Sequence, residues 1–301
     1  MAELNTSPSG PPGPAASPPV TATPGAGTAA PRQERLAAVS WPADGVSAAD
    51  IGGFGVVAGP GATRPVPIAS VAKLMTAYVV LHDHPLPAGE SGPDIAVQSS
   101  EAAAYPSQAR DGDSLVPVVA GETITERQAL EALLLPSADN MAWILARWDA
   151  GRQEAFVARM NSTADRLGMT GTSYTDPSGL DSSTTSTAAD QVRLGRAAMQ
   201  VPALAAITAM STAVVPVAGV VRNYNTLLGQ DGIVGLKTGS TQAAGGCVLV
   251  AAWHKAGTHN TLIVAATFGQ PGTAQTILPN ALQAGHMLVL ALDRALGDSR
   301  R

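Results

Sequence analysis

The sequence has few aromatic residues, few lysines, one cysteine and no long apolar run. Aromatic residues make up 4% of its 301 residues and the formal net charge at pH 7 is −5, so it offers neither stacking platforms nor a basic surface for nucleic acid. Cys247 stands alone, which excludes an internal disulfide but leaves the redox compartment open. No stretch reaches the roughly 18 apolar residues of a membrane span, and no charged-then-apolar signal sequence opens the chain. These absences predict a soluble globular protein with no nucleic-acid partner and no membrane span in this chain.

The composition divides the chain into two parts. Residues 1–36 are rich in Pro, Ala, Gly, Ser and Thr, and such a segment buries too little apolar surface to offset the loss of chain entropy. We therefore expect a disordered linker over residues 1–36. Residues 37–301 contain no second linker and no repeat, and the apolar fraction of 45% is ample for a core. They are predicted to form one domain.

The apolar patterns predict strands at both ends of this domain and helices between them. "IGGFGVVAG" is typical of a strand, a helix is expected from about Ser70 to Leu81, and Thr123 with Glu126 forms a capping-box pattern before another helix. Further helices are predicted in "PSADNMAWILARW", "RQEAFVARMNSTADRLG", "STAADQVRLGRAAM" and "LPNALQAGHMLVLALDRAL". Strands are predicted in "TAVVPV", "GVVRNYN", "GIVGLKTG", "GCVLVAAWH" and "TLIVAATFG". This order favours an α+β fold whose sheet is built from both termini and carries an inserted helical region.

One of the three lysines lies in the apolar stretch "PIASVAKLMTAYVVL". On a helix, Ser70 and Lys73 share a face, and the helix N-terminus near Ser70 favours a developing anion. Burial would favour the neutral form of Lys73, which is the form that accepts a proton from a serine. Taken alone, the motif also fits a lysine that extends from an amphipathic helix into solvent.

Two further motifs follow in the order that a known chemistry requires. Ser137 occurs in "LLLPSADNMAW", and Lys237, Thr238 and Gly239 occur in "GIVGLKTGS". The set S-x-x-K, S-D-N and K-T-G is the signature of class A β-lactamases and penicillin-binding proteins. Two of the three lysines fall inside it, which favours the catalytic interpretation of Lys73.

Longer blocks around the motifs resemble the penicillin-binding D-alanyl-D-alanine carboxypeptidases, especially those of actinobacteria. The blocks are "PVPIASVAKLMTAYVVL", "LLLPSADNMAWILA", "FVARMNSTADRLGMTGTSYTDPSGLD", "GIVGLKTGS" and "AAGGCVLVAA", and the resemblance runs from about residue 40 to the C-terminus. It implies the β-lactamase/transpeptidase fold, with a mainly antiparallel five-stranded sheet flanked by helices and an inserted all-helical region. No metal and no cofactor is expected.

The resemblance also implies roles for the motif residues. Ser70 would attack the carbonyl between two D-alanines and form an acyl-enzyme, with Lys73 as its base. Ser137 would relay the proton to the leaving amine, and Lys237 would tune the field.

Substrate binding is implied for the residues around the third motif. Thr238, with Lys237, would receive the terminal carboxylate of the substrate, and Gly239 lies between Thr238 and Ser240. The oxyanion would lie between the backbone N–H groups of Ser70 and Ser240.

The chain departs from the family at one position of the second motif. The family usually has Asn two residues after the second serine, whereas this chain has Asp139 there and Asn140 next to it. An ionised Asp139 beside Lys73 would favour the ammonium form of the lysine and oppose its role as a base. Either Asp139 is compensated, or Asn140 takes its place in substrate binding.

Other polar residues are expected to be structural. His82 and His84 lack a third metal ligand, Cys247 is predicted to be buried and inert, and Glu154 fits a solvated helix face. The segment "DPSGLD", residues 176–181, is either a structural turn or a loop bordering the site.

The resemblance predicts a serine D-Ala-D-Ala carboxypeptidase that removes the terminal D-alanine of peptidoglycan stem peptides and is acylated by β-lactams. The alternatives are a class A-like β-lactamase and a catalytically weak relic that binds peptidoglycan or penicillin. Stem peptides lie outside the cytoplasm, so an extracytoplasmic location is expected. Residues 1–36 would then be a spacer from an anchor or signal that this chain does not contain.

Overall fold

The computed structural model describes residues 34–87, 89–256 and 258–297. Its centre is a five-stranded antiparallel sheet in the order β2-β1-β11-β10-β9. Its strands are β1 (Val46–Ile51), β2 (Gly55–Ala58), β9 (Ile233–Thr241), β10 (Gly245–Ala256) and β11 (His259–Gln270). Strands from both ends of the domain therefore pair, which confirms the predicted α+β class and antiparallel sheet.

Smaller antiparallel pairs lie outside the main sheet. They are β3 (Val66–Pro67) with β6 (Thr185–Ser186), β4 (Asp94–Ala96) with β5 (Thr123–Thr125), and β7 (Thr212–Val215) with β8 (Gly219–Arg222). The strand β3 ends at Pro67, shortly before the turn that carries Ser70, so its pairing with β6 positions the start of that turn.

The sheet has two buried faces because apolar side chains alternate along its central strands. On β10, Cys247 and Leu249 face one side, while Val248 and Val250 face the other. We call the side of Cys247 the inner face and the side of Val248 the outer face. Both faces are covered by helices, so the strand is apolar at almost every position.

The outer face is covered by the closing helix α8 (Ile277–Leu296). Its buried positions are Ala281, Leu282, Gly285, Leu288, Val289, Leu292, Ala295 and Leu296. This spacing of three and four residues forms one stripe along the helix, as expected for a helix that packs on a sheet.

The inner face is covered by the inserted helical region. Its helices are α1 (Lys73–Asp83), α2 (Ser99–Asp111), α3 (Glu126–Leu134), α4 (Asp139–Ala150), α5 (Gln153–Arg166), α6 (Ala188–Ala198) and α7 (Pro202–Thr208). Helix α6 packs directly on the sheet, and α1 packs against α3, α4, α5 and α6. Helix α1 is therefore central, which explains its nearly continuous run of buried apolar residues.

Two local predictions need correction. "IGGFGVVAG" is a hairpin and not one strand, because β1 ends at Ile51 and β2 begins at Gly55. The capping box exists two residues later than predicted: Thr125 is the N-cap and Gln128 is its partner, while Thr123 lies in β5. The extended backbone of Thr125 ends the strand pair there, which moves the helix start.

The predicted linker over residues 1–36 falls mostly outside the described residues. The described part of it is packed: Leu36 is buried with the outer-face residues, and the Arg35 guanidinium donates to the Ala295 carbonyl at 3.0 Å. The folded domain therefore includes Arg35 and Leu36. Within the described ranges, no helix is both long and apolar enough to cross a bilayer.

Candidate active site

Ser70 lies in a 3-10 turn, Ala69–Ala72, that leads directly into α1. The turn begins with Ala69 at φ 47°, a left-handed conformation that costs free energy for an alanine. Gly179 packs on this residue so closely that a Cβ atom at Gly179 would lie 1.9 Å from the Ala69 carbonyl oxygen. Ser70 is half-buried, whereas Ala69 and Val71 on either side are buried. The turn therefore presents the Ser70 hydroxyl from an otherwise enclosed segment.

Lys73 is fully buried and its amine contacts three oxygen atoms. The Nζ atom lies 2.8 Å from Ser70 Oγ, 2.6 Å from Asp139 Oδ1 and 3.0 Å from the Ser178 carbonyl oxygen. The predicted proximity of Ser70 and Lys73 is present. Three acceptors match the three N–H donors of an ammonium group.

Asp139, and not Asn140, is the residue that reaches Lys73. The Asp139 carboxylate contacts Lys73 through Oδ1 and accepts the Ser114 N–H through Oδ2 at 2.9 Å, while the Asp139 N–H donates to the Ser114 carbonyl at 2.6 Å. The Asn140 side chain instead bonds the backbone of Val116 in both directions. Asp139 therefore borders the site, and Asn140 holds the segment after Ser114.

Ser137 and Lys237 form a second pair. Lys237 Nζ lies 2.9 Å from Ser137 Oγ and 2.8 Å from the Thr238 carbonyl oxygen, and both side chains are buried. Burial lowers the pKa of Lys237 well below its usual value; the charge of Lys73 lowers it further, and Asp139 partly opposes this. Ser137 has φ 64°, the left-handed conformation, so it turns the chain sharply before α4.

Strand β9 approaches the Ser70 turn through Gly239. A Cβ atom at this position would lie 2.8 Å from the Ser70 nitrogen and 3.0 Å from the Val71 nitrogen, so only glycine allows the approach without a shift. Thr238 is buried beside it and Ser240 is exposed. The backbone after Gly239 thus lies at the N-terminal end of the turn, where an oxyanion was predicted to bind.

The "DPSGLD" segment is both a structural turn and a border of the site. One Asp176 oxygen accepts the N–H groups of Ser178, Gly179 and Leu180 and the Ser178 hydroxyl, and the other accepts the Thr184 hydroxyl. This arrangement aims the Ser178 carbonyl at Lys73.

Residue patterns do not point to two of the groups that border the site. Ser114 and Ser178 hold Asp139 and Lys73 through their backbone atoms, which any residue type supplies. Asp113 precedes Ser114, and its pKa is raised by burial and by the Asp139 and Asp111 charges, while Lys73 lowers it. Asp113 and Ser114 lie in a loop with no motif of its own, whereas Ser178 lies in the "DPSGLD" segment, which the sequence left open as a border of the site.

The residues expected to be structural take no part in the contacts of the two serine–lysine pairs, although Cys247 lies opposite Gly239 on the neighbouring strand. Among the described residues no cluster of His, Cys, Asp and Glu could hold a metal ion; His84 instead pairs with Asp149 and packs against Trp148. Cys247 is fully buried on β10, and burial raises the pKa of its thiol to about 12. Glu154 is exposed in the first turn of α5.

Comparisons with known proteins agree with this geometry. The family model described as D-alanyl-D-alanine carboxypeptidase matches residues 52–270. The D-alanyl-D-alanine carboxypeptidase DacB2 of Mycobacterium tuberculosis is 37% identical over 203 residues, which cover 65% of this chain and 65% of that protein. The chain spans between 42% and 65% of the length of the first three curated relatives that it matches.

Two solved structures share the fold. A D-alanyl-D-alanine carboxypeptidase from M. tuberculosis H37Rv superposes with a TM-score of 0.68 at 30% identity, covering 86% of this chain and 93% of that one. The Streptomyces K15 DD-transpeptidase superposes with a TM-score of 0.72 at 23% identity, covering 84% of this chain and 99% of that one. The fold is therefore that of the β-lactamase/transpeptidase type.

Proposed function

Since the chain belongs to the D-alanyl-D-alanine carboxypeptidase family, we propose that it removes the terminal D-alanine from peptidoglycan stem peptides through an acyl-enzyme on Ser70. The observation that carries this proposal is the Ser70–Lys73 contact of 2.8 Å, placed beside a second serine–lysine pair, Ser137 and Lys237. The half-buried hydroxyl supplies the nucleophile, and the two buried amines nearby can move its proton.

In the proposed reaction, Ser70 Oγ attacks the carbonyl between the two terminal D-alanines. A lysine amine of the site takes the hydroxyl proton, and the family resemblance implies that this is Lys73. The proton then passes to the nitrogen of the leaving D-alanine, and we assign this transfer to the Ser137–Lys237 pair, whose side chains are in contact. Water hydrolyses the Ser70 ester and completes the cycle.

Substrate orientation is assigned to the Gly239 segment of β9. The close approach of Gly239 to the Ser70 nitrogen supports an oxyanion site between the N–H groups of Ser70 and Ser240. Thr238 and Lys237 lie next to this position and are proposed to receive the terminal carboxylate of the substrate. A penicillin carboxylate would bind there in the same way, so β-lactams are expected to acylate Ser70.

A β-lactamase would need a carboxylate free to activate water after acylation, as the class A enzymes have. The loop beside Lys73 contains Asp176, but both of its oxygens are occupied by hydrogen bonds within the turn. Between Asn140 and Leu180 the sequence has one glutamate, Glu154, and it lies exposed on α5. We therefore expect a long-lived penicilloyl adduct and a faster turnover of D-Ala-D-Ala peptides.

The test combines intact-mass measurement after mixing with benzylpenicillin and an assay of D-alanine released from a stem-peptide mimic. The expected result is a persistent adduct that is absent in Ser70→Ala, together with D-alanine release. An adduct that clears within seconds without D-alanine release would replace the carboxypeptidase with a β-lactamase. No release and no adduct would favour a relic that only binds its ligands. The contact of Asp139 with Lys73 is the observation that supports this alternative.

Action on stem peptides requires an extracytoplasmic location, which we propose for this protein. Fractionation of the native cell with an antibody against the folded domain tests this. Recovery of the unprocessed chain in the cytosol alone would contradict it.

A further inference from the structure

We propose that in this chain Lys237, acting through Ser137, accepts the proton of Ser70, and that Lys73 remains an ammonium group throughout the reaction. This inference rests on the proposed function, because it assigns the base of the same site. It exchanges the roles that the family resemblance gives to the two lysines.

The first argument is that two buried lysines share one carboxylate. Asp139 Oδ1 lies 2.6 Å from Lys73 Nζ, whereas Lys237 has no ion pair among the described residues. A carboxylate at contact distance stabilises an ammonium group, and two adjacent buried ammonium groups repel each other. Asp139 is the protein carboxylate at contact distance, so the lysine that contacts it keeps the proton and the other loses it. A neutral Lys237 amine still has an N–H to donate to the substrate carboxylate.

The second argument comes from the hydrogen bonds of Lys73. Asp139 Oδ1 and the Ser178 carbonyl can only accept, and Ser70 Oγ is the third partner of the amine. When Lys73 is an ammonium group it donates to all three. The Ser70 oxygen then receives an N–H, so its own proton must point away from Lys73.

Lys237 has the partners that suit a neutral amine. It makes two contacts, one to the Thr238 carbonyl, which only accepts, and one to the Ser137 hydroxyl, which can donate. A neutral amine can donate to the carbonyl and accept the Ser137 hydroxyl proton on its lone pair. Burial and the Lys73 charge both lower the pKa of Lys237, in the direction that this arrangement requires.

Two carboxylates act on the charges of the two amines. Asp139 acts on both lysines, and it raises the pKa of Lys237 only partly against burial and the Lys73 charge. Asp113 is a further carboxylate, and it interacts with the charges of both Lys73 and Asp139. Both carboxylates therefore favour a charged Lys73.

Protons and electron pairs are conserved in the proposed step. As the Ser70 oxygen forms its bond to the substrate carbonyl carbon, its proton moves to Ser137 Oγ, which this step requires to lie within hydrogen-bonding distance of Ser70 Oγ in the substrate complex. The Ser137 proton moves to the lone pair of Lys237 Nζ, 2.9 Å away. The carbonyl π electrons become the oxyanion. When the oxyanion collapses, the C–N bond breaks and the leaving amine takes a proton back from Lys237 through Ser137. Lys237 is neutral again, D-alanine leaves, and the acyl group remains as an ester on Ser70.

The chain allows a direct test because it has three lysines: Lys73, Lys237 and the exposed Lys255. Protein labelled with 13C and 15N in lysine gives three Cε signals, whose positions report protonation as the pH is varied. We expect the Lys237 signal to titrate first, well below Lys255, and Lys73 to stay an ammonium group through that range. In Asp139→Asn we expect Lys73 to lose its proton first.

Assignment uses Lys237→Arg and Lys255→Arg, each of which removes one signal. If Lys237→Arg does not fold, sequential triple-resonance assignment of the unsubstituted protein replaces it. A Lys73 signal that titrates below that of Lys237 in the native protein would overturn the inference, and so would two buried lysines that both stay charged up to the range of Lys255.

Acylation by a fluorescent penicillin adds a kinetic measurement. Arginine keeps a charge at position 237 but accepts no proton, so Lys237→Arg is expected to slow acylation by about 10²-fold or more. Lys255→Arg is the matched control and should not change the rate. A folded Lys237→Arg that acylates at the native rate would contradict the inference. Failure of the native protein to be labelled at all would instead contradict the proposed function, since the order of titration is measured without turnover.

Discussion

The two faces of the sheet differ in the side chains that cover them. The outer face meets α8 mainly through aliphatic side chains, together with a pair of His254 and Asp293. The inner face combines an apolar core with the buried polar groups of the site, among them Lys73, Asp139 and Lys237. The same central strand serves both, because its odd and even positions face opposite sides.

This difference separates stability from function. Each aliphatic side chain buried on the outer face contributes about 1.5–3 kcal/mol to folding. A buried ion pair contributes little net stability, because removing both charges from water costs about as much as their attraction returns. The outer face is therefore expected to determine how stable the protein is, and the inner face what it does.

The largest expected effect comes from Gly239→Ala, the first of two matched glycine substitutions, one on each face. In Gly239→Ala the new Cβ would lie 2.8 Å from the Ser70 nitrogen and would push β9 off the Ser70 turn. We expect acylation by a fluorescent penicillin to slow by about 10²–10³-fold, the effect of losing one oxyanion donor.

The matched substitution on the outer face is Gly285→Ala, whose Cβ would lie 2.6 Å from Val248 Cγ1. Overpacking costs about 1–3 kcal/mol and alanine regains about 1 kcal/mol of helix propensity, so a small loss of stability is expected. Its acylation rate should equal that of the native protein. Equal acylation rates for the two variants would break the proposed separation of the faces.

The next effect in size is a cavity in the outer face. Leu292 is fully buried between α8 and the sheet, and Leu292→Ala should lower the free energy of unfolding in urea by about 2–5 kcal/mol. The acylation rate of the folded protein should not change. Met287→Ala on the same helix is the control, because Met287 is 53% exposed and its truncation should cost little. A slower acylation in folded Leu292→Ala would show that the outer face supports the site.

The elements of the fold also differ in how well the sequence predicted them. The long strands β9, β10 and β11 and the helix α8 have clear apolar periods, and the three motifs identified Ser70, Lys73, Ser137 and Lys237 as a group that the structure brings together. Helix α2 was missed because none of its residues is buried, so it has no apolar stripe. The strand β1 was missed because its sequence, VSAADI, is short and carries an aspartate.

The sequence could not predict whether Asp139 or Asn140 contacts Lys73, and the reason is geometric. Adjacent residues at the start of a helix point in directions about 100° apart, and the exact start of α4 decides which one faces Lys73. The sharp turn at Ser137 sets that start, and the backbone of Ser114 fixes Asp139 once it is there. Neither the turn at Ser137 nor the backbone contacts of Ser114 can be recognised from a pattern of residue types.

The smallest expected effect concerns a buried charge of the inner side that does not belong to the site. Glu126, the first residue of α3, is 1% exposed, its Oε1 has no hydrogen-bond partner, and burial raises its pKa to about 7 against a weaker opposing effect of Arg127.

Because the folded protein binds this proton more tightly than the unfolded chain, the stability contribution is present below about pH 4.5 and is lost as the pH rises through about 7. In Glu126→Gln this loss disappears, so the variant should be more stable than the native protein by about 3 kcal/mol at pH 8 and by less than about 1 kcal/mol at pH 5. Urea unfolding at pH 5, 6, 7 and 8 measures the difference, with the exposed Glu154→Gln as control. Parallel pH dependences for the native protein and Glu126→Gln would mean that Glu126 is ionised at neutral pH, and an altered acylation rate would mean that the polar groups of the inner side act together with the site.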